Sequence, residues 1–235
     1  MQLELKSPLE GWCLDLDRVP DPVFAGRTAG DGVAIDPTGD CLYAPCDAVV
    51  VSVHAAAHAV ALRTREGIEL LLHLGIDTVT LGGAAFDPLV AAGDAVVAGD
   101  PLIRFDLDHV VRNATAAVTP VLVTSPATIE RVCGDGACRV GTPLMRVTAI
   151  AGVPNGDREG PASERRFVVR LPHGLHARPA ARIARALHGL DADVTLAAGD
   201  VRASAASSIA MLGLAAGCGD TVRGEARGSD AFSAW

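Results

Sequence analysis

The sequence predicts two domains, an all-β antiparallel sandwich or barrel over residues 1–150 and a smaller α+β domain over 166–235. Three observations support this division. Short apolar runs punctuated by Gly, Pro and Asp recur about every ten residues up to residue 150, a rhythm of all-β folds and not of βαβ units. A stretch without apolar period follows at 151–165. Strand-like and helix-like segments then alternate. The length of 235 residues accommodates two ordinary domains.

In the first domain, AVVVSV (48–53), VALR (60–63), IELLLHL (68–74) and PLIRF (101–105) read as strands. DAVVVSVHA (47–55) and DAVVAGDPLIRF (94–105) repeat one theme, an Ala/Val strand behind an Asp turn, which hints at internal duplication. Residues 151–165, AGVPNGDREGPASER, read as a linker that would span about 20 Å as a random coil. The second domain starts at Arg166 with RFVVRL. In the helix that follows, Ala180, Ile183, Ala184 and Leu187 mark one face, with Pro179 in the first turn and Gly189 at the C-terminal end. DADVTLA (191–197) reads as a strand, SSIAMLGLAAG (207–217) as a second helix and TVRGEA (221–226) as a strand. The order is β-α-β-α-β, and the final SDAFSAW reads as the start of another helix.

Composition excludes several function classes. Apolar residues make up 49% of the chain but aromatic residues only 3%, so the cores are built from Val, Ala, Leu and Ile. A net charge of −8 leaves no basic excess to displace counterions from nucleic acid. No signal peptide is evident at the N-terminus and no apolar window is long enough for a membrane span. Cys13, Cys41, Cys46, Cys133, Cys138 and Cys218 show no CxxC spacing and read as reduced thiols of a cytoplasmic protein. A zinc cluster built on Cys133 and Cys138 would need two further ligands nearby, and none is offered.

Two histidines flank a candidate hairpin in HAVALRTREGIELLLH (58–73). With Arg65-Glu66 as the loop, His58 faces His73 on one side of the ladder. With Gly67 in a three-residue loop, the pairing shifts by one. Along the second strand Glu69, Leu71 and His73 share a face. Two neighbouring imidazoles admit three readings: zinc ligands awaiting a third group, a phospho-accepting pair, or ordinary polar residues at a strand edge. His54 and His58, four residues apart, lie in a strand-like run where helical spacing has no meaning.

ELLLHLGIDTVTL (69–81) closely resembles the active-site strand of the glucose-type enzyme IIA of the bacterial phosphoenolpyruvate-dependent sugar phosphotransferase system. SPLEG (7–11), DPVF (21–24), GDGVAIDPTG (30–39), YAPCDA (43–48), FDLD (105–108) and TP (119–120) fall where that family has matching motifs. The resemblance implies an internally duplicated antiparallel β-sandwich. It also implies that His73 is phosphorylated with His58 as its supporting partner, that Asp77 lies beside them, and that Val23 and Phe24 form an apolar docking surface. The family has Thr two residues before the supporting histidine, where this chain has Ala56.

GLHARPAA (174–181) places His176 just before a helix whose first turn carries Arg178. Helix starts offer unpaired N–H groups and partial positive charge, which would stabilise a phosphoryl group on the imidazole, and Arg178 adds a charged donor. The competing reading is a capping or surface histidine. From Arg166 onward the chain resembles the phosphocarrier HPr, whose GLHARPA signature stands here without change. This resemblance implies an α+β open-faced sandwich, stopping short of the family's last helix. His176 would be the phosphorylated residue, Arg178 its phosphate partner and Ser207 a possible regulatory site. Arg182 and Arg185 continue the helix's exposed face.

Together the resemblances imply a phosphotransferase relay needing no cofactor and no metal. Its partners would be enzyme I, expected as a downstream fusion in a longer chain, and the IIB and IIC domains of a membrane sugar permease of glucose or N-acetylglucosamine type. Two rivals have different chemistry: a regulatory binding module that reports the phosphorylation of His73, and a zinc peptidase of similar β fold, for which no third ligand is found upstream.

Overall fold

A computed structural model describes residues 2–150 and 162–233, which fall into two compact units, Met1–Ala151 and Gly152–Trp235. No helix among these residues is long and apolar enough to cross a membrane.

An eight-stranded sheet organises the first unit, in the spatial order Gly136–Cys138, Gly11–Leu14, Asp31–Pro37, Thr119–Val123, Glu69–His73, Ala59–Arg63, Ala48–Val53, Ala95–Val96. Every pairing in it is antiparallel. Two three-stranded sheets complete the unit. One joins Gln2–Lys6, Pro143–Ala149 and Ala127–Arg131; the other joins Cys41–Tyr43, Pro101–Phe105 and Phe86–Pro88. The strands expected from the apolar runs are present. The repeated Asp-led segments are neighbours in the sheet, with Ala48 opposite Val96, and Asp47 Oδ1 accepts the Ala98 N–H at 3.0 Å.

Glu69–His73 is a central strand, and that placement decides its environment. Leu70, Leu72 and Leu74 enter the main core with Val33, Val60 and Val121. Side chains alternate along a strand, so Glu69, Leu71 and His73 occupy the opposite face. That face is covered too, since all three are buried. A short capped turn supplies part of the cover. Asp21 Oδ1 accepts the N–H groups of Val23 and Phe24 at 2.8 and 3.2 Å, and Pro22 opens the one-turn helix Pro22–Ala25.

The hairpin register is the shifted alternative: Ala59, not His58, lies opposite His73. Gly67, at φ +81°, makes Arg65-Glu66-Gly67 a three-residue loop. The Thr64 N–H donates to Ile68 O at 2.9 Å and Ile68 N–H to Thr64 Oγ1 at 3.3 Å, closing it. The extra loop residue costs one step of register.

The second unit has a four-stranded antiparallel sheet, ordered Ala162–Val168, Thr221–Arg227, Asp193–Ala198, Val201–Ser204. Helix Ala177–Leu187 packs Ala180 into the core, with Ile183, Ala184 and Leu187 half-buried beside it. Four expectations need correction. The first strand begins at Ala162, so residues 162–165 belong to the sheet and not to a linker; the rest of the expected linker, 151–161, lies outside the described residues. The second helix is Ser208–Leu212, shorter than expected because Gly213 ends it. The order is β-α-β-β-α-β: Gly199-Asp200 is a two-residue hairpin turn that adds the strand Val201–Ser204. Residues 229–233 form turns, not a helix.

Leu72 is fully buried where the sheet meets the core. Leu72→Ala is expected to destabilise the first domain by about 2–5 kcal/mol, read as a lower urea midpoint.

Candidate functional site

His73 is the last residue of the central strand. Its Nδ1 lies 2.9 Å from Gly75 O. A carbonyl only accepts, so Nδ1 carries the hydrogen and the lone pair of the neutral ring is on Nε2. Gly75 makes this possible with φ +67°: a Cβ there would meet Thr78 Cγ2 at 2.6 Å and Ala116 O at 2.9 Å. The turn is fastened by Thr78 Oγ1 donating to Leu74 O at 2.7 Å and by the Ile76–Ala116 bridge, whose Ile76 N–H meets Ala116 O at 2.8 Å. Asp77 comes next in the left-handed region at φ +60°, its Oδ2 accepting from Thr115 Oγ1 at 2.7 Å.

Two rings flank His73. The Phe24 ring centroid is 5.1 Å away and that of His58 4.9 Å, edge-on. Although the register shift removes His58 from direct opposition, the backbone keeps it adjacent, since the Leu74 N–H donates to His58 O at 2.8 Å. Val23 is half-buried, but Phe24 is only 1% exposed. Phe24 therefore does not belong to an exposed docking surface as expected: the Asp21 cap turns it inward, where it packs on the His73 ring.

Sequence spacing missed a third imidazole. The His54 ring centroid lies 4.3 Å from that of His58, the rings tilted by 54°, closer than His58 is to His73. The two are joined by a turn, not a strand: Ala57 is left-handed at φ +52° and its N–H donates to His54 O at 2.7 Å. His54 Nδ1 accepts the Ala56 N–H at 3.1 Å, which leaves the ring proton of neutral His54 on Nε2. Ala56, in place of the expected Thr, thus contributes its backbone to the cluster. Among the described residues no group of three or more His, Cys, Asp or Glu side chains is placed to hold a metal ion.

In the second unit, half-buried His176 is the N-cap residue of Ala177–Leu187, with Arg178 and Pro179 in the first turn. The approach to the helix is fixed by Gly174, at φ +67° against the Ala216 carbonyl, and by Leu175 N–H donating to Ala216 O at 2.8 Å. His173 lies nearby, its ring centroid 6.3 Å from that of His176. Arg182 and Arg185 are exposed. Ser207 caps the second helix, its Oγ accepting the Ala210 N–H at 3.0 Å.

Fold and geometry define a two-domain protein with one imidazole site on a β-sandwich and another at a helix start. Comparison with known proteins places it further. Residues 3–129, more than half of the chain, match the family model of the phosphoenolpyruvate-dependent sugar phosphotransferase system, EIIA 1, and 163–235 match that of the PTS HPr component phosphorylation site. The chain therefore belongs to the glucose-type EIIA family and carries an HPr domain behind it. It is 40% identical over 145 residues to the "PTS system glucose-specific EIIA component" of Bacillus cereus, covering 60% of this chain and 88% of that protein. It is 46% identical over 137 residues to the "PTS system glucose-specific EIIBCA component" of Corynebacterium glutamicum, covering 58% of this chain but only 20% of that longer protein. The solved glucose permease IIA from Mycoplasma capricolum superposes with a TM-score of 0.60 at 33% identity, covering 62% of this chain and 96% of that one.

Gly75→Ala is expected to destabilise the first domain by about 2–4 kcal/mol, through the left-handed backbone and the contacts with Thr78 and Ala116. A urea midpoint equal to that of wild type would show that the turn tolerates a side chain.

Proposed function

We propose that this chain is a phosphoryl carrier in which His176 accepts a phosphoryl group from enzyme I, His176 passes it to His73, and His73 delivers it to a membrane sugar permease. The observation that carries this reading is the hydrogen bond from His73 Nδ1 to Gly75 O, because it directs the Nε2 lone pair away from the backbone as a nucleophile. In each transfer the acceptor atom, an imidazole nitrogen or, at the permease, a cysteine sulfur or histidine nitrogen, attacks phosphorus while the donor's P–N bond breaks and the donor nitrogen keeps the electron pair. The phosphoryl group moves without a cofactor, so catalysis consists of alignment and charge stabilisation.

The surroundings suit those needs. His58, edge-on to His73, is a candidate hydrogen-bond donor to phosphoryl oxygens, and Asp77, held by Thr115, lies two residues beyond Gly75. Phe24 limits the motion of the His73 ring. Val23 and its neighbours at the rim would meet partner proteins. At His176, helix N–H groups and the Arg178 guanidinium offer donors to an anionic group. Ser207, as a regulatory site, is carried by the family resemblance alone. Fusion of the two domains raises the effective concentration of one site for the other where the connection lets them meet. The sugar follows from the permease and not from this chain: a second relative, 46% identical over 132 residues, is a mannose-specific EIIBCA component of Corynebacterium glutamicum.

Incubation with enzyme I and labelled phosphoenolpyruvate tests the order of transfer. Wild type should carry two acid-labile, base-stable phosphohistidines. His73→Ala should keep label only at His176, whereas His176→Ala should lose label at both sites, regaining it at His73 when free HPr is added. Equal labelling of His176→Ala and wild type without HPr would contradict the relay.

A further inference from the structure

Away from the histidines, the first unit brings together two thiols 120 residues apart in the chain, with Cys13 Sγ 2.7 Å from Cys133 Sγ. A bonded pair of sulfurs is about 2.05 Å apart, so small side-chain movements separate this contact from a covalent bond. Cys13 is fully buried in strand Gly11–Leu14. Cys133 is half-buried just past strand Ala127–Arg131, where it lines an open surface depression with Gly134, Asp135 and Arg139. One thiol is thus reachable from solvent and the other is enclosed behind it.

A cation is fixed beside the pair. Arg131 Nη2 lies 3.6 Å from Cys13 Sγ. The guanidinium is anchored by Asp135 at 2.6 Å and Asp15 at 3.6 Å. The hydrogen bond from Cys13 and then the Arg131 guanidinium push the Cys133 thiol down to about 6, while the same thiol–thiol hydrogen bond and burial push Cys13 up. These shifts make Cys133, the accessible sulfur, the more acidic thiol of the two. Cys46 provides the contrast within the same domain: burial, then Asp47 and Glu66, push its thiol up to about 12.

We propose that Cys13 and Cys133 form a peroxide-reactive dithiol site that closes reversibly to a disulfide. The Cys133 thiolate attacks one oxygen of hydrogen peroxide and the O–O bond breaks. The departing hydroxide takes a proton to become water, leaving a sulfenic acid on Cys133. The Cys13 sulfur then attacks Cys133 sulfur, its proton leaving with the S–O hydroxyl as a second water. Two thiols each lose one electron and one proton, and one peroxide gains two of each. An external dithiol reverses the bond by exchange. Closure would staple strand Gly11–Leu14 to the segment after Ala127–Arg131, two strands of different sheets.

The full chain, treated with equimolar hydrogen peroxide, trapped with iodoacetamide and digested, tests the proposal by mass spectrometry. The expected product is a Cys13–Cys133 linked peptide, removed by dithiothreitol, while Cys41, Cys46, Cys138 and Cys218 remain alkylated. Cys13→Ser should stop at a dimedone-reactive sulfenic acid on Cys133. Cys133→Ser should leave Cys13 unoxidised. The rate of wild-type closure should rise through about pH 6 and level off, whereas an ordinary thiol, with a pKa near 8.5, keeps gaining thiolate up to about pH 9. Arg131→Met should move that rise to higher pH, and Arg131→Lys, which keeps a cation for the fold, should move it less. Absence of the linked peptide, oxidation spread over all six cysteines, or a wild-type rate still rising above pH 8 would overturn the proposal.

Discussion

The hydrogen bond from His73 Nδ1 to Gly75 O is the constraint on which the first site depends. The ring is held by its own chain, two residues on. This works only because the chain turns sharply at once after a central strand. Pairing on both sides fixes the strand, with Leu72 opposite Val60 on one side and Val121 on the other. Gly75 then takes a conformation that a side chain would obstruct, and bonds from Thr78 to Leu74 and from Ile76 to Ala116 lock the turn around it. The position of one ring nitrogen is thereby tied to the registry of a whole sheet.

The second site achieves a comparable placement differently. His176 sits where a helix begins, with Arg178 in the first turn and the His173 ring centroid 6.3 Å from its own. Gly174 sets the approach, again through a left-handed residue packed against a carbonyl. In the function proposed, a nitrogen poised on a β-strand exchanges a phosphoryl group with one poised at a helix start. Neither site needs a deep pocket, which accords with a chain whose aromatic content is 3% and whose cores are aliphatic.

Strand positions were legible because alternation and Gly, Pro and Asp punctuation are local properties, and the runs at 48–53 and 101–105 match the structure at both ends. Register was not, because a single loop residue, Gly67, decides it. The contact between His54 and His58 is not legible in their spacing because it depends on the left-handed Ala57, a conformation that nothing in the residue type announces. Phe24 was misplaced because an apolar residue in a short loop reads alike whether it faces solvent or folds back onto a ring. The strand Val201–Ser204 is hard to read because four residues are too few to establish alternation, although Gly199-Asp200 is a usable hairpin signal. The pairing of Cys13 with Cys133 is a property of tertiary structure, invisible to any search for spaced motifs.

The tautomer of His73 tests the central claim most directly. Long-range proton–nitrogen correlation spectra of the full chain, repeated after phosphorylation by enzyme I and phosphoenolpyruvate, report which ring nitrogen carries hydrogen and which carries phosphorus. The predicted result is Nδ1–H in neutral His73 and phosphorus–nitrogen coupling at Nε2. Hydrogen on Nε2, or phosphorus on Nδ1, would contradict the account.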